Sequence, residues 1–366
     1  MNATMPVAVQ SPVLPTVSTP ARRIREPEAR TQRSARFDVM RVSACLAVIL
    51  LHLSATLVME PTLLGTVNWH VANLIDAATR WCVPVFVMLS GALLLDPRKQ
   101  ASPGEFWTRR MTRLLPALMT WSLIYFLWRA YFWKEGLFVG VMTQDVLAGR
   151  PYIHLYFLFL IAGLYLVTPF LSRAIGNLTS AQLRQVILIM GGLTMLANLS
   201  DFLTSSALTM FVPYLAYYAG GWYCAHLPAA RTLRYVLVLS GAIITITVLT
   251  GLLVSTLGLD DRWSFYWYED FSPTVIVSAV AVFILILRGA VPPRAEAIAQ
   301  RLAPMTLGVY VAHPLIVEVL RYGYFHQFPV LLTAPYYIPV TFVATCVLTF
   351  GCIALIQTVP GLRRIV

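Results

Sequence analysis

Apolar runs of about twenty residues, long enough at ~1.5 Å per residue to cross ~30 Å of hydrocarbon, recur ten times after Asp38. They fall near 39–59, 71–95, 114–133, 152–172, 184–203, 207–226, 234–257, 272–287, 304–322 and 336–356. No other feature constrains the chain as hard. A backbone in lipid must satisfy its own hydrogen bonds, and helices do so segment by segment. The expectation is an all-α, polytopic membrane protein of about ten transmembrane helices. The weakest runs are 207–226, interrupted by Pro213, and the short 272–287. Only 12% of residues are charged while 58% are hydrophobic, against roughly a quarter charged in a soluble chain. That excludes a disordered, collagen-like or disulfide-stapled secreted protein.

The net charge of +11 is not a nucleic-acid signature, because its position follows the apolar runs. With the N-terminus inside, cytoplasmic segments hold 20 of the 27 Lys and Arg; outer segments hold four, Lys134, Arg150, Arg262 and Arg321. By the positive-inside rule both termini are cytoplasmic. No basic stripe interleaved with aromatics runs along a polar face, so no nucleic-acid partner is expected. Residues 1–36 carry five prolines and six arginines and read as a disordered basic cytoplasmic tail. No short apolar segment precedes the basic cluster, so the start does not read as a cleavable signal peptide. Residues 37–358 form the membrane domain, and 359–366 a short basic cytoplasmic tail.

The five cysteines, Cys45, Cys82, Cys224, Cys346 and Cys352, lie within apolar runs at no metal spacing, and read as buried thiols acting as small hydrophobes. No metal site is expected. The outer segment 260–270 gathers Asp260, Asp261, Trp263, Tyr266, Trp267, Tyr268, Glu269 and Asp270. It is either an interfacial aromatic belt or a platform for a hydroxyl-rich ligand such as a sugar. No internal repeat is visible, which disfavours an inverted-repeat transporter.

Ionisable groups inside spans cost about 2.5–3.5 kcal/mol each on insertion scales, so each needs a partner or a task. On the first span, Arg41 and His52 are separated by eleven residues, a rotation of only ~20°, with Asp38 within ~60° of both. Asp38 suits the helix start, where a carboxylate complements the dipole. His52 is either a packing hydrogen-bonder or a reactive group. On the second span, Asp76 and Arg80 form an i, i+4 pair that neutralises itself. His313 lies on the ninth span, with Glu318 offset by ~140° onto another face. His154 stands at the edge of the fourth span, as an acceptor contact or an interfacial anchor. A proton-coupled transporter or flippase would use the same inventory. In FWTRRMTRLLPAL, Arg110 and Arg113 are i, i+3 neighbours. They either anchor the helix at the cytoplasmic face or clamp phosphate, for which paired guanidiniums are well shaped.

Several strings resemble one family. RFDVMRVSACLAVILLHLSA is similar to the first span of the membrane acyltransferase 3 family, with its basic residue, ten intervening residues and a histidine, here Arg41 and His52. RWCVPVFVMLSGALLL resembles its second span, Arg110-x-x-Arg113 its cytoplasmic R-x-x-R motif, and IHLYFLFLIAGLYLVTPFL and TLGVYVAHPLI later family strings. The likeness covers nearly all of 37–356. It implies transfer of an acyl group, often acetyl, from cytoplasmic acyl-CoA as co-substrate to a hydroxyl of an extracytoplasmic or lipid-linked glycan, such as an exopolysaccharide unit. It implies a stand-alone O-acetyltransferase of the bacterial inner membrane, with no bound cofactor and no metal requirement. His52 would be general base or transient acyl acceptor, and either role needs a neutral imidazole. Arg110 and Arg113 would hold the donor's phosphates. Arg41 would be a second phosphate contact or a filler of the pore mouth. Arg80 or His313 would stabilise the oxyanion.

The charge asymmetry makes a direct prediction. Reporter fusions after Arg98 and after Arg234 should read cytoplasmic, and fusions within 260–270 extracytoplasmic. An outward reading at Arg98 would overturn the cytoplasmic placement of Arg110 and Arg113.

Overall fold

The computed structural model describes residues 21–99, 102–200, 206–228, 232–322 and 335–366. Among these there are thirteen α-helices and no strand. They are α1 Ala21–Val58, α2 Val67–Thr79, α3 Cys82–Leu94, α4 Pro103–Phe132, α5 Val139–Leu147, α6 Tyr156–Gly176 and α7 Ser180–Leu199. They continue with α8 Leu215–His226, α9 Thr232–Leu257, α10 Pro273–Arg288, α11 Pro293–Leu302, α12 Thr306–Leu320 and α13 Tyr337–Thr358. Eight segments are long and apolar enough to cross a bilayer: Ala35–Val58, Val67–Leu94, Tyr156–Gly176, Ser180–Leu199, Thr232–Leu257, Arg262–Arg288, Pro293–Leu320 and Tyr337–Thr358. Each coincides with an expected run. The other two expected runs fall on α4 and α8. At 30 residues α4 is ~45 Å long, but Arg113, Arg129, tryptophans and tyrosines dilute its apolar stretch. With 12 residues, α8 is too short on its own.

α1 begins at Ala21, inside the segment expected to be a disordered tail, while residues 1–20 lie outside the described residues. Asp38 is therefore mid-helix rather than at a helix start. It pairs with Arg41 one turn on, Nη1 to Oδ1 at 3.2 Å. The run 71–95, expected as one helix, breaks between α2 and α3 at Arg80 and Trp81. Pro84 explains the break. Its ring collides with the carbonyl four residues back, at Arg80, and it has no N–H to continue the ladder. α4 starts on a capping box, with Ser102 and Glu105 exchanging side-chain-to-backbone bonds ahead of Pro103.

α1 is the hub, touching α2, α3, α10, α11, α12 and α13. The main apolar core gathers around it: Met40, Ile49 and Leu53 of α1 meet Met88 of α3, Phe283 of α10 and Val309 of α12. Of the five free cysteines, Cys45, Cys82 and Cys224 are buried as expected, whereas Cys352 is exposed on the outer side of α13. Val340, Val343, Val347 and Leu355 of α13 are exposed as well, so the helix presents an apolar face that no described residue covers.

α3 and α8 make the most intimate helix crossing, and glycine makes it possible. A Cβ on Gly91 would overlap the carbonyl of Tyr218, and one on Gly221 would overlap the carbonyl of Met88. Small residues allow such backbone approach where lipid gives helices no hydrophobic reason to associate. Gly91→Ala should cost about 1–3 kcal/mol through overpacking, lowering the thermal midpoint in detergent. Gly192→Ala, at a position with open space around it, should leave the midpoint unchanged or raise it. Equal midpoints for the two variants would refute the close crossing.

Candidate active site

His52 points from α1 towards α12, its ring centroid 5.2 Å from that of His313. It is half-buried, and among the described residues its ring nitrogens take no hydrogen bond. His313 is fully buried at 0% exposure, and His154 nearly so at 1%. The His154 and His313 rings lie 5.8 Å apart. Tyr125, Tyr152 and Tyr310 close the cluster, each with its ring within 6 Å of His154.

Local sequence explains how His313 is held. Pro314 interrupts α12 and carries no N–H, so the carbonyl of Tyr310 loses its usual partner four residues on. The Nδ1 of His313 takes that place, at 2.8 Å from Tyr310 O and 3.1 Å from Val309 O. A carbonyl only accepts, so Nδ1 carries the proton and Nε2 carries a lone pair. That Nε2 is buried without a hydrogen-bond partner among the described residues. As a neutral imidazole, His313 can thus take a proton at Nε2. His154 follows the same logic: Nε2 donates to Val311 O at 3.2 Å, leaving Nδ1 unpartnered. Tyr310 donates its hydroxyl to His154 O at 2.6 Å. His154, expected at an exposed edge, is therefore neither an interfacial anchor nor open to an acceptor. The turn before α6 carries it inward, where it backs His313.

Beside this cluster stands the expected pair of Asp76 and Arg80. Arg80 donates from Nε and Nη2 to Asp76 Oδ1, and Ser54 donates to Asp76 Oδ2 at 3.2 Å. The Arg80 guanidinium lies 4.0 Å from the centre of the Tyr268 ring, and its charge acts on His52. Tyr268 is buried and donates to Asn73 Oδ1 at 2.5 Å. The segment 260–270 is thus not wholly an outward platform. Tyr268 folds in over Arg80, Asp270 accepts from Tyr214 at 2.5 Å, and Glu269 accepts from Asn198 at 2.5 Å. Trp263 remains exposed.

Arg41, Arg110 and Arg113 gather elsewhere, about eleven residues or ~16 Å back along α1. Arg110 lies 5.8 Å from the centre of the Tyr165 ring and 5.7 Å from that of Phe106. Arg110 and Arg113 both act electrostatically on Arg41. The sequence-predicted residues therefore form two groups joined by α1. One is His52, His313, His154, Asp76 and Arg80; the other is Arg41, Arg110 and Arg113. Among the described residues no three His, Cys, Asp or Glu side chains lie together as a metal-ligand set.

Residues 34–356 match the acyltransferase domain of the acyltransferase 3 family. The chain belongs to that family. It is a multi-pass membrane acyltransferase, which displaces the transporter reading. Comparison with curated proteins and with solved structures found no match.

Sequence reasoning missed several residues around the acyltransferase's histidines. Tyr310 carried a signal, since it stands one turn before His313 on the same face. Tyr125, Tyr152 and Ser54 carried none, because hydroxyls of this kind are common in spans. Glu318 accepts from Trp128 Nε1 and from the hydroxyl of Tyr152, and so joins the histidine cluster at its edge through that tyrosine.

The Asp76–Arg80 pair gives a stability prediction. Removing one partner of a buried pair strands the other charge, at a cost of about 3–5 kcal/mol. Asp76→Asn should therefore lower the thermal midpoint in detergent sharply. Asp76→Asn with Arg80→Gln should recover much of the loss, since both charges are then gone. Additive losses in the double variant would show that the two side chains act independently.

Proposed function

We propose that this acyltransferase moves an acyl group, acetyl foremost, from cytoplasmic acyl-CoA to a hydroxyl of an extracytoplasmic or lipid-linked glycan. Exopolysaccharide repeat units of a bacterial inner membrane are the acceptor class that the sequence resemblance favours. The arginine end of α1 faces the cytoplasm in this reading, as do both termini. Arg110 and Arg113 hold the phosphates of the donor, and the slender pantetheine arm enters the bundle alongside α1 towards His52. Arg41, already paired with Asp38, lines the entry.

One observation carries the chemistry: a half-accessible His52 abuts His313, whose buried Nε2 lone pair has no hydrogen-bond partner. His52 accepts the proton of the acceptor hydroxyl as its oxygen attacks the thioester carbonyl. The C–O bond forms, the tetrahedral intermediate collapses, the C–S bond breaks, and the proton passes to the departing CoA thiolate. His313 shares the proton in the interval through Nε2. Arg80, next to His52 and held by Asp76, supplies positive charge for the developing oxyanion. The exposed Trp263, with the half-buried Tyr266 and Trp267, offers ring faces to the sugar on the outer side.

The reading is tested by measuring CoA binding and single-turnover acyl transfer on the same variants. His52→Ala should retain CoA binding and lose about 10²–10⁴ in transfer rate, the scale of general-base loss. Arg110→Ala should weaken CoA binding instead, increasingly so as salt is lowered in the wild-type comparison. Normal transfer by His52→Ala would make His52 a packing residue. Loss of CoA affinity in His52→Ala as severe as in the arginine variant would bring donor and histidine to one end of the bundle.

A further inference from the structure

A groove of about 1170 Å³ opens beside α4, floored by Pro304 and walled by the end of α13 and the 3₁₀ turn Leu362–Ile365. Three guanidiniums line it, Arg113 from α4 and Arg363 and Arg364 from the turn. Thr108, Thr112 and Gln357 add polar groups, and no Asp or Glu side chain lines the groove. The turn is pinned in place rather than trailing. Trp121 Nε1 of α4 donates to Ile365 O at 2.9 Å, and Arg363 Nε donates to Gln357 O at 2.9 Å. These contacts fix the backbone that carries both arginines while leaving their side chains exposed.

Three like charges gathered on an open groove repel one another, and no Asp or Glu in the lining offsets them, the α-carboxylate of Val366 being the one counter-charge that shares it. An anion with several phosphate groups removes that repulsion and fits the bidentate geometry of guanidinium. The volume is that of a small-molecule site, at or above the usual range of about 300–1,000 Å³. Arg113 links this groove to the entry along α1, because its charge also acts on Arg41 and Tyr165. Arg110, one helical turn earlier, turns instead towards Phe106 and Tyr165. Arg113 thus borders the groove while staying within electrostatic reach of Arg41 and Tyr165, the groups that Arg110 also faces.

We infer that Arg363 and Arg364 complete, with Arg113, a seat for the nucleotide end of the donor, a nucleotide carrying a pyrophosphate and a separate ribose phosphate. The inference rests on the acyl-CoA reading above. An anionic lipid headgroup shares the phosphate chemistry. However, it presents one phosphate where this groove offers three guanidiniums and two hydroxyls.

The full chain, purified in neutral detergent, is titrated with CoA and with dephospho-CoA, which lacks the ribose phosphate. The wild type should prefer CoA by about tenfold, on the scale of one charge-assisted contact. Arg363→Gln with Arg364→Gln should weaken CoA binding by about a hundredfold and erase that preference, and Arg364→Gln alone, which leaves the contact of Arg363 with Gln357 in place, should weaken it by about tenfold at an unchanged thermal midpoint. Arg363→Lys with Arg364→Lys should keep part of the affinity, because charge remains while the fork is lost. A glutamine double variant that binds CoA as the wild type does overturns the inference. So does one that keeps CoA but no longer retains phosphatidylglycerol in mixed micelles, which would make the groove a lipid seat. A wild type that binds no CoA at all fails the acyl-CoA reading itself, and is told apart because Arg110→Ala would then change nothing either.

Discussion

A polar group carried into an apolar bundle must meet a complement, and α1 finds several of its complements on other helices. Its Ser54 reaches Asp76 of α2, its His52 lies against His313 of α12, and its Arg36 pairs with Glu296 of α11 at 2.9 Å. Each uncompensated ionisable group would cost about 2.5–3.5 kcal/mol on insertion. The Ser54 and Arg36 pairings therefore help hold α2 and α11 against α1, and apolar packing fills in around them. The glycine crossing of α3 and α8 then brings a second layer close without adding polar contacts.

Within that frame the three histidines differ by what their backbones demand. His313 is committed by the carbonyl that Pro314 leaves open, and His154 by Val311 O. Both are buried, and both keep one nitrogen as an acceptor. His52 alone of the three is half-accessible and uncommitted among the described residues. A reactive group needs access to its substrate, and a proton reservoir needs the opposite. In the proposed chemistry, access falls to α1 and storage to α12.

Much of this was legible from residue order alone, where the interaction is local. Helical spacing placed Asp76 and Arg80 as a pair and set Arg41 and His52 on one stripe. Eight of the ten expected runs correspond to segments able to cross a bilayer. What stayed hidden is non-local. Periodicity states which face a residue occupies and not which helix faces it, so the meeting of His52 with His313 could not be read. The inward turn of His154 and the folding of Tyr268 over Arg80 depend on loops whose paths no propensity fixes. Asp38 sits inside α1 because the helix runs back to Ala21, through Pro27, and the Arg, Glu and Ala residues on either side of that proline favour helix. The broken second span was readable in principle, since Pro84 marks the carbonyl of Arg80 as the one to lose its bond.

The distance between the two groups on α1 has a chemical consequence. Arg41 and His52 share a stripe on one continuous helix, so their separation of ~16 Å is fixed by helix geometry and not by loop motion. A donor anchored at the arginine end can present its acyl group near His52 only through an extended arm. A short acyl carrier anchored there would fall short of the imidazole. A carrier anchored by a single phosphate would be held loosely at so great a lever. Long reach from a firmly held head is what the acyl-CoA reading supplies, and it explains why guanidiniums should collect on both sides of the α4 start. The pairing of Arg41 with Asp38 fits the same scheme. A cation neutralised in place at the entry does not compete with Arg110 and Arg113 for phosphate, so it lets the uncharged arm pass while the charged head stays behind.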